Sequence, residues 1–254
     1  MNTPEWNEYQ SQFDLPAEYF QDIPSNTTKH CIMIEPRVHP KLIIVIKNFM
    51  YLLQKKGWGL IIFHSKENEP LLKEGLAGWR NVNYIPALEG GMSIALYNDF
   101  VCSGNFWGKL IEYNCHHALM FQTDTVLLKD NVDDFIGYDY VGAPWAVRWL
   151  DMDIGNGGLS IRNVFRMWLI ARQGQRFVKT PFGQQFLGNE DIFFSWHLKD
   201  TRANLPTVDV AKQFSIETIW YEDPCGMHQP HIDRFPSYDA FAALFNRRYI
   251  NSDK

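Results

Sequence analysis

The sequence is short of cations: 24 lysines and arginines stand against 29 aspartates and glutamates, for a net charge of −5. The basic residues are scattered, which argues against a nucleic-acid binder that works by neutralising phosphates. Cysteine is scarce as well. Cys31, Cys102, Cys115 and Cys225 make no CxxC or other paired spacing, which argues against a zinc knot or disulfide framework and reads as free thiols in a reducing compartment. Long apolar runs are missing. The most apolar stretch, LIIVIKNFMYLL, is too short to span a bilayer and carries Lys47 in its middle, so no transmembrane segment is expected. No basic-then-apolar leader opens the chain, and a cytoplasmic location is expected. Internal repeats and low-complexity segments are also absent, which favours one domain over two.

What is present suits a well-cored enzyme-sized domain. Of 254 residues, 46% are hydrophobic and only 21% charged. Aromatics reach 15%, with nine tryptophans, enough to line both a core and a site with flat apolar walls.

Residues 1–28 are polar, carry Pro4, Pro16 and Pro24, and read as an N-terminal arm with room for one helical turn; residues 29–254 read as the domain proper. A first strand is expected at CIMIE (31–35). A helix follows, with Pro40 near its start, an apolar face from Leu42 to Leu53, and Lys55, Lys56 and Gly57 as its end signals. Further strands are expected at GLIIF (59–63), VNYIPA (82–87) and 118–122, the last preceded by a helix over 105–114. This alternation predicts an α/β fold with a mostly parallel central sheet and helices on both faces. In such sheets ligands bind at the carboxyl ends of the strands, which places Glu35-Pro36-Arg37, His64-Ser65 and Gln122-Thr123-Asp124 on one rim.

ALMFQTDTVLLKD (118–130) interrupts a hydrophobic run with an acid that no neighbouring cation can pair. A buried unpaired Asp is costly, so Asp124 is expected to be exposed at a strand end, hydrogen-bonded, or bound to a metal. GNEDIFFSW (188–196) places Glu190 and Asp191 at the start of an apolar helical run, where acids also serve as capping residues that favour the helix dipole. GNGGLSIRN (155–163) lets backbone pass close to a ligand, or simply turns tightly into a strand; it lacks the Lys-Ser/Thr of a phosphate-binding P-loop. Trp145, in YDYVGAPW (138–145), reads equally as a sugar platform and as core. His228, in PCGMHQPH (224–231), reads on its own as an ordinary loop histidine.

Taken in order and spacing, FQTDT, YDYVGAPW, GNGGLSIRN with GNEDIFFSW, and AKQFSIE with PCGMHQPH resemble the glycosyltransferases of the GT-A fold. More narrowly they resemble a family of GT-A-like domains found in large DNA viruses, fungi and bacteria. The likeness runs from about Cys31 to His231. It implies a GT-A-like (Rossmann-like) single domain that moves a sugar from a nucleotide-diphosphate sugar of UDP, GDP or dTDP type to a hydroxyl acceptor, such as a glycan. It further implies that Asp124 and His228 hold Mn²⁺ or Mg²⁺ beneath the diphosphate, Asp124 being the retained end of an Asp-x-Asp signature whose first position is here Gln122. Asp191 becomes the general base of an inverting reaction, with Glu190 hydrogen-bonded to the acceptor. Glu35, Arg37, Gln122 and Thr123 fall to the donor, and Trp145, Asn156, Gly157 and Gly158 to the sugar or acceptor. The alternatives from other classes are a nucleotide-sugar-binding protein without transferase activity and a metal-dependent hydrolase using Asp124, His228 and His231.

Overall fold

The protein is described from a computed structural model that covers residues 3–87, 91–149, 152–173, 177–179, 185–199, 201–247 and 249. In chain order the elements are α1 (Pro4–Ser11), β1 (Lys29–Ile34), α2 (Leu42–Leu53), β2 (Trp58–His64), α3 (Glu69–Gly75), β3 (Val82–Pro86), α4 (Ile94–Val101), α5 (Gly104–Glu112), β4 (His117–Phe121) and β5 (Thr125–Leu127). They continue with β6 (Tyr140–Gly142), β7 (Pro144–Trp149), β8 (Met152–Ile154), β9 (Leu159–Asn163), α6 (Val164–Ala171), β10 (Phe177–Lys179) and β11 (Gln185–Leu187). The last are α7 (Glu190–Lys199), α8 (Val208–Phe214), β12 (Ser215–Ile216), β13 (Gly226–His228) and α9 (Tyr238–Ala243).

The central sheet has the order β3-β2-β1-β4-β9-β6. β1, β2, β3 and β4 are mutually parallel, and β9 runs antiparallel to both β4 and β6. All seven residues of β2 are buried, as a parallel strand covered on both faces requires. Alternate side chains divide between two cores. Met33, Leu60, Ile62, Leu119 and Phe121 join α2 on one face, while Ile32, Ile34, Ile61, Phe63, Ala118 and Met120 join α5, α6 and α7 on the other. The expected α/β architecture, with a mostly parallel sheet between helical layers, is therefore what the chain adopts.

α2 buries Leu42, Val45, Ile46, Phe49, Met50 and Leu53, the i, i+3, i+4, i+7 stripe of an amphipathic helix. After one 3₁₀ turn it stops at Gly57, whose φ of 83° is left-handed and natural only to glycine. Pro40 lies just ahead of the helix. The N-terminal segment departs from the expected arm. Thr3 caps α1, Pro4 occupies its first turn, and Trp6, Tyr9, Phe13, Phe20 and Ile23 are buried in the main core.

Two features of this topology build a site. The chain steps outward from β1 to β2 to β3, then returns to the other side of β1 with β4, so the strand order reverses between β1 and β4. At such a switch point the loops leave the carboxyl ends in opposite directions and open a crevice. Because β9 is antiparallel to β4, with Phe121 opposite Leu159, the loop entering β9 arrives at that same rim. Beside it, a small sheet of order β12-β13-β5 pairs His228 with Thr125 and so brings the end of β13 against the turn that follows β4.

Candidate active site

A cleft of about 500 Å³ opens at this switch point. Every sequence-expected site residue except Trp145 lines it: those after β1, those after β4, the loop into β9, the first turn of α7 and the end of β13.

At one pole stands Asp124. The Gln122 carbonyl accepts hydrogen bonds from the Thr125 N–H at 3.2 Å and the Thr125 hydroxyl at 2.6 Å, a tight turn that projects Asp124 into the cleft. β5 is then pinned from behind. Tyr9 Oη donates to the Leu127 carbonyl at 2.9 Å, Gln10 Nε2 to the Thr125 carbonyl at 3.2 Å, and Asn48 both donates to and accepts from Leu127. His228 lies 3.4 Å from Asp124 through Nε2 and 3.4 Å from Glu217 through Nδ1. Burial opposes charge on both Asp124 and His228, but their mutual attraction, with Glu217 behind the ring, outweighs it. Asp124 is held down to about 2 and His228 pushed up to about 9. Gln229, at a left-handed φ of 37°, donates its side-chain amide to Asp124 Oδ2.

The other pole carries Asp191. Its Oδ1 accepts from the Ile192 N–H at 2.8 Å and its Oδ2 from the Gly157 N–H at 3.3 Å. Burial raises its proton affinity first and the adjacent Glu190 charge second, so that the carboxyl is pushed up to about 7. Glu190 is not available as expected. Both its oxygens are taken by the fully buried Arg162, at 2.5 and 3.0 Å, so a hydrogen bond to an acceptor would have to displace an ion pair. Asn98 Oδ1 accepts from the Glu190 N–H at 2.7 Å and fixes the start of α7.

The glycines of the loop between the poles are dictated by close approach. A Cβ on Gly157 would overlap Glu190 and crowd Asp191, and one on Gly158 would overlap the His228 ring. Asn156 bridges the loop to the Asp124 pole, its amide donating to Glu217 at 3.0 Å while its oxygen accepts from the Gly158 N–H at 3.1 Å. At the opposite rim Arg37 grips Glu35 through two hydrogen bonds of 2.8 and 2.7 Å, so these two enter the cleft as an ion pair. The side chain of Arg37 is 58% exposed and that of Glu35 only 5%, which leaves the guanidinium as the group facing solvent.

Trp145 is not brought to the cleft. β7 leaves the central sheet to pair with β8, and the ring rests behind the loop, where a Cβ on Gly155 would touch it at 3.4 Å. Several residues that sequence reasoning passed over do belong here. Tyr97, Asn98, Asn189 and Gln229 line the cleft, while Arg162 and Glu217 act from beneath it. Glu217 closes the AKQFSIE segment, and that position was the available signal.

A divalent cation fits the first pole on one specific ground. Among the described residues, Asp124 Oδ1 and both His228 nitrogens are buried and make no hydrogen bond, their only close approaches being the 3.4 Å ion-pair contacts among Asp124, His228 and Glu217. A carboxylate oxygen and an imidazole nitrogen side by side, with a second carboxylate behind the ring, form the carboxylate–histidine arrangement typical of metal ligands. Among the described residues no group of three or more His, Cys, Asp or Glu side chains is set to hold a metal, so two protein ligands would leave the rest of the shell to water and ligand oxygens.

The family described as "Protein of unknown function (DUF5672)" matches residues 83–228, a span that holds Asp124, Asp191 and His228 but not Glu35 or Arg37. A comparison with curated proteins gives no match. Among solved structures, a cytidylyltransferase from Leptospira borgpetersenii is 9% identical with a TM-score of 0.38, covering 59% of this chain and 66% of that one, just under two thirds. A Bacillus anthracis protein described as a glucose-1-phosphate thymidylyltransferase, in complex with a sucrose, is 11% identical with a TM-score of 0.42, covering 89% of this chain and 98% of that one. At these values neither likeness bears on what the site does.

Proposed function

Taking as premise that this chain belongs to the DUF5672 family, we propose that it transfers a sugar from a nucleotide-diphosphate sugar to a hydroxyl acceptor. The observation that carries the reading is convergence: Asp124, His228 and Asp191, distant in sequence, line one cleft at the switch point of the sheet. The motif resemblance to GT-A glycosyltransferases supplies the reaction class. The cleft supplies the division of labour.

Asp124 and His228 would hold Mn²⁺ or Mg²⁺, which when bound neutralises charge gathering on the diphosphate leaving group. Glu217 orients the His228 ring, and Asn156 orients Glu217. Asp191, fixed by two backbone N–H donors, accepts the proton of the acceptor hydroxyl as that oxygen attacks the sugar carbon. A proton affinity near neutrality suits this task, since the group must be ionised to accept a proton and still hold it. Attack from the Asp191 side, opposite a diphosphate held at Asp124, would invert the anomeric carbon. Arg37, at the end of β1, and the amides of Gln122 and Asn189 are placed to hydrogen-bond the donor. The four buried free cysteines suit a cytoplasmic location. No helix among the described residues is long and apolar enough to cross a membrane.

Calorimetric titration of UDP, GDP and dTDP with and without Mn²⁺ tests the reading. Binding of one nucleotide only with the cation is expected, followed by turnover of the matching sugar donor. Failure of all three to bind would contradict it. A second reading, binding without transfer, is favoured by Gln122 standing where a first acid would add charge. Asp191→Asn separates the two, because it abolishes transfer only if transfer occurs.

A further inference from the structure

We infer that Arg162 and Glu190 are a buried positioning pair that holds Asp191 through Gly157 and tunes the pH at which the site works. The inference rests on Asp191 being the proton acceptor of the reaction proposed above.

Arg162 is fully buried in β9, with its guanidinium 4.7 Å from the Tyr140 ring and 5.7 Å from that of Phe194. Besides Glu190 it donates to Ser160 Oγ at 2.9 Å and to the Gly157 carbonyl at 3.4 Å. As a stability device this arrangement is poor. Desolvating two charges cancels most of their attraction, and apolar replacements of similar volume are often neutral or stabilising. The aromatic surroundings would accept such a replacement readily.

What an apolar pair could not do is place charge beside Asp191. Among the described residues, the titratable or charged groups set against that carboxyl are Glu190 on its own helix, Arg162 from β9, Tyr140 from β6 and Tyr97 from α4, while Asp124 and His228, an ion pair, line the same cleft. The two tyrosines are buried and stay neutral, their hydroxyl affinities driven up chiefly by burial. That leaves Glu190, whose like charge disfavours ionisation of Asp191, and Arg162, which tempers it. The two are also joined mechanically. The Gly157 carbonyl accepts from Arg162 while the Gly157 N–H donates to Asp191, so one glycine residue holds both the pair and the base.

The two halves of the pair therefore act on Asp191 with opposite sign. Carbon-detected NMR of the aspartate carboxyls in substrate-free protein reads this directly. Glu190→Gln is isosteric and is expected to lower the Asp191 midpoint by about one unit or more. Arg162→Gln is expected to raise it. Should Arg162→Gln not yield folded protein, the Glu190→Gln titration decides alone. An unchanged midpoint in folded Glu190→Gln protein, accompanied only by a lower melting temperature, would overturn the proposal. In the transfer assay the acidic limb of the rate profile should move with the NMR midpoint. Because the titration needs no substrate, a protein that transfers nothing would sink the transferase reading and leave this measurement standing.

Discussion

Two aspartates line the same cleft and are held in opposite ways. Asp124 faces an imidazole at 3.4 Å, with a second carboxylate behind it, and keeps its charge down to about pH 2. Asp191 faces no cation directly. Arg162 is committed to Glu190, and burial with the adjacent like charge outweighs it and the two N–H donors, so the carboxyl is pushed up to about 7. Identical side chains are thus set to different tasks by their surroundings. One is a permanent anion suited to a cation and a diphosphate, the other a group that exchanges protons. The contrast supports the proposed site more strongly than either residue alone.

The sharpest attempt to break this contrast exchanges the charges one at a time. Asp191→Asn is expected to reduce transfer by about 10²–10⁴-fold while leaving cation-linked nucleotide binding unchanged by calorimetry. Equal damage to both would mean the two poles are not separate. Asp124→Asn should do the reverse to binding, removing the dependence on Mn²⁺. One step outward, Glu217→Gln should weaken the cation by about 10–100-fold, as the loss of a group orienting a ligand does. An unaltered cation affinity would place Glu217 outside the site.

The pH dependence sharpens the contrast from another side. Transfer should rise with pH through about 7 as Asp191 ionises. Stability should move the opposite way. The Asp191 affinity is raised on folding, so its contribution is complete below the ordinary carboxylate range, near pH 4, and is lost as pH rises through about 7. Asp124 is lowered on folding, so its contribution is present above pH 4 and lost only as pH falls through about 2. Denaturant melts of the parent and of Asp191→Asn across pH 4–8 test this, with a flatter profile expected for the variant. The smallest effect is expected at the buttress. Tyr9→Phe removes one buried hydrogen bond to Leu127, should cost about 1 kcal/mol in denaturant melts, and should leave the rate profile in place.

The contrast also explains what could be read in advance. Asp124 and Asp191 stand at sequence positions where local signals are strong, a strand end and a helix start, and β1, β2, β4 and α2 follow from runs of apolar residues. His228 came only with the motif resemblance, since nothing local distinguishes it from any loop histidine. Arg162 was not legible at all, and Glu217 only as the last residue of the AKQFSIE segment. Arg162 sits in LSIRN, where an arginine looks like the polar end of a strand; its partner is 28 residues away, in the first turn of α7, and meets it only through the fold. Charge pairing of that kind leaves no period in the sequence. Trp145 left two readings open, since a ring fit for a sugar platform is equally fit to pack behind a glycine, and the ring lies against Gly155. The N-terminal helix is longer than the single turn expected, for a local reason. Three prolines suggested an irregular arm, whereas Thr3-Pro4-Glu5 is a capping residue, a first-turn proline and a first-turn acid, a helix start in three residues.

The most direct test is a carbon-detected pH titration of all aspartate carboxyls in the unmodified protein, with Asp124→Asn and Asp191→Asn used to assign the two resonances. One carboxyl should remain ionised to about pH 2 and the other should titrate near 7. If both titrate together near the ordinary aspartate value of about 4, the two poles are not different and the account fails.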